Sequence, residues 1–286
     1  MVEICLVYDK IRFEEKALND KISQKGHKAS LVDGKNLVFD TEFDLDTDQF
    51  GDIVLQRQVS HFRGLFVTFC LESYGINVVN SFRVSEICGN KLITSSILAK
   101  NKVPTPKTRF AFSSESAMEG MENFGYPIVI KPIVGSWGRG VYQIANRQMA
   151  RMLVENREEN QGMFSKIYYI QKEVKRPSRD IRCIVVGNRV IASVYRYSAD
   201  KEWRTNVAIG GRTEEAKLTK ELEDTVLKAA SAVGGGILGV DLMEDVKEGL
   251  VVHEINNTVE FRGAASVCKS DIPGSMADYL ISLSKK

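Results

Sequence analysis

Residues 126–144 read YPIVIKPIVGSWGRGVYQI, and this stretch decides the fold. The apolar run ending at Lys131-Pro132 reads as a strand that closes on a lysine. A glycine-rich loop follows: Gly135, Ser136, Trp137, Gly138, Arg139 and Gly140. Strand character resumes at Val141–Ile144. Such a hairpin exposes backbone N–H groups and lets phosphate oxygens approach closely, because glycine has no Cβ in the way. Ser136 adds a hydroxyl donor and Arg139 a positive charge. It is not a Walker loop, since no Gly-Lys-Ser/Thr follows and the flank is strand rather than helix. An ordinary β-hairpin turn is the competing reading of the same residues.

The chain before this hairpin alternates. Val2–Tyr8 reads as a buried strand, and Ile11, Glu15, Leu18 and Ile22 recur at near-helical spacing before Gly26. Ala29–Val32, Asp52–Leu55 and Ile76–Val79 read as further strands, with a helix over Arg63–Tyr74. This rhythm predicts an α/β unit with a parallel sheet and helices on its faces. The dinucleotide fingerprint Gly-x-Gly-x-x-Gly is absent after the first strand. A helix is predicted from Gly89-Asn90-Lys91 to about Asn101. Beyond the hairpin, helices are predicted over 147–157 and 219–232. Strands are predicted at 168–174, 181–186, 189–197, 238–242 and 250–255.

Composition narrows the function classes. The 286 residues carry 39 Lys+Arg against 37 Asp+Glu, a formal +2, which argues against a protein held on nucleic acid or an anionic membrane by bulk charge. No run reaches the roughly 18–20 apolar residues of a spanning helix, and the N-terminus lacks the basic region of a signal peptide. The five cysteines (Cys5, Cys70, Cys88, Cys183 and Cys268) show no Cys-x-x-Cys pairing and read as reduced residues of a cytoplasmic protein.

Two further groups carry chemistry. Glu254 and Asn256 stand two apart on a predicted strand and so share a face, and Asp241 lies on the neighbouring predicted strand. Three hard oxygen ligands suit Mg²⁺, which completes its shell with phosphate oxygens and water. A salt bridge from the acid to an internal Arg182 or Arg204 is the alternative. Asp180, Arg182, Arg196, Arg204 and Asn206 add cations and amides, and guanidinium groups match carboxylate and phosphate geometry.

The order Gly89-Asn90-Lys91, Ile130-Lys131-Pro132, the loop 135–140, Gln171-Lys172-Glu173-Val174, Arg179-Asp180-Ile181-Arg182, Asp241 and Glu254-Ile255-Asn256 resembles the ATP-grasp superfamily over essentially the whole chain. Within it the chain resembles the RimK-type ligases, and most closely the LysX/ArgX branch, through 135–139 and Asn256–Phe261. The resemblance implies an ATP-grasp fold with an open pre-ATP-grasp domain over 1–85. A small lid would span 86–165 and a metal- and substrate-binding domain 166–286. It implies that Lys91, Lys131, the loop 135–140 and Asp180 meet the nucleotide, and that the backbone of Gln171, Lys172, Glu173 and Val174 holds adenine. Asp241, Glu254 and Asn256 would bind Mg²⁺, with two ions expected, and Arg182, Arg204 and Asn206 would surround the transferred phosphoryl group. Arg196 and Asn256, Asn257, Thr258, Val259, Glu260, Phe261 and Arg262 would take the incoming amino acid, with Glu260 a candidate base.

The implied reaction is ATP-dependent. The α-amino group of α-aminoadipate, the favoured substrate, and/or of glutamate would join the C-terminal glutamate side chain of the small acidic carrier protein LysW, in lysine and/or arginine biosynthesis. The expected enzyme is a cytoplasmic homotetramer with no nucleic-acid or membrane partner. It would have a basic carrier surface near Arg57, Arg63 and Arg83, and a site strongly basic overall. Gly263-Ala264 follows neither the LysX nor the ArgX pattern. The alternative is a RimK-type glutamate ligase acting on a ribosomal protein or on a pterin or deazaflavin cofactor.

Overall fold

A computed structural model describes residues 1–42, 44–135, 138–160, 162–198 and 212–284. Four expected site residues, Ser136, Trp137, Arg204 and Asn206, lie outside them.

The alternating N-terminal pattern folds as it reads. Strands β1 (Glu3–Tyr8), β2 (Lys28–Asp33), β3 (Ile53–Gln56) and β4 (Val78–Val79) form a parallel sheet in the order β2-β1-β3-β4. Helices α1 (Phe13–Gln24) and α2 (His61–Ser73) join them. Leu18 and Ile22 bury one face of α1, while the Glu15 carboxylate accepts the Arg12 N–H at 2.8 Å and closes its first turn.

The helix expected over 89–101 is α4 (Lys91–Lys100), and a further helix, α3 (Phe82–Gly89), precedes it. Asn90 makes the break, its side chain accepting from the N–H groups of Leu92 and Ile93 as an N-cap. Gly89 is required here: a Cβ would fall 1.8 Å from the His61 ring.

The hairpin that opened the reading belongs to a second, antiparallel sheet. Strand β5 (Thr108–Ala111), helix α5 (Ser114–Phe124), β6 (Ile128–Lys131), β7 (Tyr142–Ile144), helix α6 (Arg147–Glu159) and β8 (Tyr168–Lys172) build it in the order β5-β8-β6-β7. A third antiparallel sheet holds β9 (Arg179–Val186), β10 (Arg189–Tyr197), β11 (Thr213–Glu215), β12 (Ile237–Asp245) and β13 (Gly249–Asn256), ordered β11-β10-β9-β12-β13. Helices α7 (Lys220–Val233), α8 (Arg262–Ala265) and α9 (Ile272–Ser284) accompany it.

Packing crosses the expected divisions at 85/86 and 165/166. β8 lies beyond residue 165 yet hydrogen-bonds into the second sheet. The residues of α3 and α4 lie before that sheet but bury Val84, Ile87 and Leu98 against Ile181, Val240 and Val252 of the third. Helix α9 in turn packs Met276 and Leu280 into one core with Leu6, Leu18 and Ile22 of the first unit. The chain's end thus ties the first sheet to the third.

Candidate functional site

A cavity of about 840 Å³ is lined by the first unit, the start of α4, the loop after β6 and the third sheet with the loop that follows it. One wall comes from β9, β12 and β13. Pleat alternation aims Asp241 and Glu254 the same way, and they stand opposite each other in the β12–β13 register. Arg182 occupies the facing position on β9.

Asp241 is 2% exposed and is gripped by two arginines. Arg182 Nε and Nη2 both donate to its carboxylate, the latter at 2.7 Å, and Arg196 Nη2 lies 3.2 Å away. Burial works to raise the Asp241 pKa, but the two guanidinium groups outweigh it and hold the carboxyl well below the usual range. Asn256 Nδ2 reaches the same carboxylate at 3.4 Å. Glu254 accepts from Lys91 Nζ at 3.1 Å, and that lysine also donates to Gly135 O at 2.6 Å, tying the glycine loop to the metal-ligand candidates.

Both readings of Asp241 are therefore visible together. Of the two arginines weighed for a salt bridge, Arg182 forms one with Asp241, while Arg204 lies outside the described residues; Arg196 is a further partner. The oxygen donors are also clustered. Among the described residues no three His, Cys, Asp or Glu side chains group as a metal site. Two carboxylates and one amide fit Mg²⁺ only as a partial shell that phosphate oxygens complete.

The side chains of several expected nucleotide contacts are paired within the protein, which leaves the backbone role expected of 171–174 untouched. Asp180 is buried and accepts from Arg196 Nε and Nη2 at 2.7 and 2.8 Å, so it serves as that arginine's counter-ion. Lys172 Nζ donates to the carbonyls of Phe124 and Gly125 at 2.9 and 3.0 Å, fastening α5 to the sheet. Glu173 accepts from Gln143 Nε2, and Val174 is half-buried. Lys131 is buried against Gln171, whose Oε1 accepts from its Nζ at 2.8 Å. Burial pushes the Lys131 ammonium down to about 8. Gly138 and Gly140 take φ values of 68° and 69°, a backbone that glycine adopts without strain. Arg139 is exposed beside them.

The expected substrate segment 256–262 divides by alternation. Asn257, Thr258, Glu260 and Arg262 line the cavity. Val259 and Phe261 are fully buried in the hydrophobic core, so their side chains are not substrate contacts. Glu260 Oε1 accepts from Arg12 Nη1 at 2.9 Å, which makes it an ion-pair partner rather than a free base. Arg57, expected on a basic surface, is 2% exposed and pairs with Glu15 at 2.9 Å. Arg63 and Arg83 pair with Asp9 and Glu86.

The sequence reading missed the N-terminal wall. Arg12, Glu14, Gln58 and His61 line the cavity from the first unit. Arg12 and Glu14 follow β1, and Gln58 follows β3. The signal available was their place just past the carboxyl ends of parallel strands, where open α/β sheets form their crevice. The five cysteines are free thiols, and burial pushes Cys5 up to about 11, so none is a poised nucleophile.

Comparison with known proteins shows the family. Residues 88–280 match the RimK-like ATP-grasp domain, and residues 4–87 match the LysX preATP-grasp domain. The chain belongs to the RimK-like ATP-grasp family. It is 37% identical over 257 residues to the α-aminoadipate–LysW ligase LysX of Saccharolobus solfataricus, covering 90% of this chain and 92% of that one. It is 34% identical over 229 residues to the glutamate–LysW ligase ArgX of Sulfolobus acidocaldarius, covering 80% and 81%. The solved RimK-domain ATP-grasp protein of Sphaerobacter thermophilus superposes with a TM-score of 0.80 over 98% of this chain and 99% of that one, at 21% identity. That likeness establishes the ATP-grasp fold.

Proposed function

We propose that the protein is an ATP-dependent, ADP-forming carboxylate–amine ligase. It joins the α-amino group of α-aminoadipate, glutamate or both to the side-chain carboxylate of the C-terminal glutamate of a LysW-type carrier. The observation that carries this reading is similarity over most of the chain to both a LysX and an ArgX ligase, with the oxygen donors and cations of 91, 182, 196, 241 and 254 around one cavity.

The carrier carboxylate attacks the γ-phosphorus of ATP, and ADP leaves with the bridging oxygen. The amine then attacks the acyl phosphate carbon. Phosphate departs with the C–O bond electrons, the amine loses a proton to solvent, and an amide remains. Lys91 and Lys131 hold phosphate oxygens, while Arg182, with Arg204 and Asn206, stabilises the charge that develops on the transferred group. Ser136, Trp137 and the glycines around them cover the phosphates and exclude water that would hydrolyse the acyl phosphate. The backbone of 171–174 holds adenine. Asp241, Glu254 and Asn256 would hold Mg²⁺, which supplies charge neutralisation between phosphates; two ions are proposed. Arg196 is held by Asp180 beside Asp241, and Arg262 offers the incoming amino acid a guanidinium.

The proposal includes the three-part division into pre-ATP-grasp, lid and C-terminal units, a homotetramer, a cytoplasmic location and no nucleic-acid partner. No helix among the described residues is long and apolar enough to cross a membrane. The test is intact-mass measurement of a LysW-type carrier after incubation with enzyme, ATP, Mg²⁺ and each amino acid. The expected result is a mass gain equal to the amino acid minus water, with ADP release requiring both partners. Turnover indifferent to the carrier overturns this reading.

A further inference from the structure

The loop after β13 is held in place from the other end of the chain. Glu14, 4% exposed in the first turn of α1, accepts the backbone N–H groups of Phe261 and Arg262 on one oxygen, each at 3.0 Å. Arg57 Nη1 donates to Val259 O at 2.9 Å. Arg12 reaches Glu260, and Asn80 Nδ2 donates to Asn257 O at 2.8 Å. Phe261 fills the core against Phe13, ring centroids 5.9 Å apart in an edge contact. Four polar side chains of the first unit thus clamp 257–262.

The clamp leaves one charge for a ligand. Arg262 is exposed, lines the cavity and makes no ion pair with any described residue, whereas Arg182, Arg196 and Arg12 are all engaged by carboxylates. Its backbone N–H is one of the two that Glu14 holds. A guanidinium on a fixed backbone at a cavity wall is a receptor for a carboxylate.

We propose that Glu14 is a positioning residue: it fixes the loop so that Arg262 receives the distal carboxylate of the incoming dicarboxylic amino acid. This deepens the ligase reading and rests on it. The N-terminal unit then sets amino-acid affinity, while nucleotide affinity is set elsewhere in the cavity. Glutamine at 14 keeps an oxygen that accepts both N–H groups; alanine keeps none.

The experiment measures KM for ATP, for carrier and for glutamate or α-aminoadipate in the wild-type enzyme, Glu14→Ala, Glu14→Gln, Arg262→Met and the double variant Glu14→Ala/Arg262→Met. The expected result is an amino-acid KM raised about tenfold or more in Glu14→Ala and Arg262→Met, with ATP and carrier KM unchanged. Glu14→Gln restores most of the loss, and the double variant is no worse than the poorer single one, because the two residues act through one contact. Preference for glutamate over glutamine falls in parallel. Additive losses, an ATP KM that rises equally, or a wild-type-like Glu14→Ala overturns the positioning role while leaving the ligase reading in place. If Glu14→Ala does not fold, Arg262→Met with unchanged amino-acid KM and selectivity overturns it. A wild-type enzyme that ligates no amino acid overturns both.

Discussion

Replacing Asp180 by asparagine separates two roles. As a nucleotide contact, Asp180 would affect ATP binding and leave the fold alone. As the structure has it, both its oxygens hold Arg196, at 2.7 and 2.8 Å, with Asp180 2% and Arg196 8% exposed. Removing one member of a buried pair costs about 3–5 kcal/mol, because the other charge stays buried. The asparagine amide keeps one acceptor oxygen and Arg196 keeps Asp241 at 3.2 Å, which puts the loss near the lower end, about 3 kcal/mol. For a cooperative unit of this size that is a fall in Tm of about 6–12 °C. Arg196 then has Asp241 as its main counter-charge, so the Mg²⁺ concentration for half-maximal ADP release rises as well. Scanning calorimetry and a Mg²⁺ titration read both effects. A Tm within about 2 °C of wild type with an unchanged Mg²⁺ requirement refutes the counter-ion assignment.

Three other outcomes are expected. Lys131, pushed down to about 8 by burial, is charged and ready for phosphate below that pH. Above it, ATP binding must take up a proton, so KM for ATP rises about fivefold from pH 8 to pH 9, and a flat profile removes Lys131 from the phosphate contacts. Glu254→Gln lowers turnover by more than about a hundredfold. It leaves stability within about 1 kcal/mol, since its pair with Lys91 is partly solvated; normal turnover refutes the metal assignment. Phe261→Ala destabilises by about 3–5 kcal/mol in urea unfolding, whereas Phe261→Leu keeps a wild-type amino-acid KM; a Leu variant with impaired binding refutes the core assignment.

What the chain discloses locally is what one element decides by itself. The β1–β4 alternation, the 126–144 hairpin and the Asp241/Glu254 strand pair were legible because period-two patterning and turn residues are written in consecutive positions. Helix α5 was missed because SESAMEGMENF buries only Ala117 and Met121, too little for a periodic stripe. Val259 and Phe261 were grouped with the binding residues by motif, although the alternation of apolar and polar residues from 259 to 262 already separates core from cavity. Arg57 read as surface charge because its partner, Glu15, lies on another element, and ion-pair partners are chosen by tertiary contact rather than by neighbours in the chain.

The site's charge shows the same limit and gives it a function. Cations and carboxylates read from the sequence as two sets, one for phosphates and one for metal, and predicted a strongly basic cleft. The fold interleaves them: Lys91 with Glu254, Arg182 with Asp241, Arg196 with Asp180 and Asp241. Buried cations without partners would be costly, so each waits on a carboxylate. Lys131 has no carboxylate partner among the described residues, and its ammonium is the one that burial weakens. On the proposed function, a metal-bearing nucleotide would carry both charges these pairs need: a cation for Asp241 and Glu254, and phosphate oxygens for the lysine and arginines they release. Binding is then an exchange of ion-pair partners with little change in buried net charge. Such an exchange would let a chain of formal charge +2 take a polyanion without relying on bulk charge.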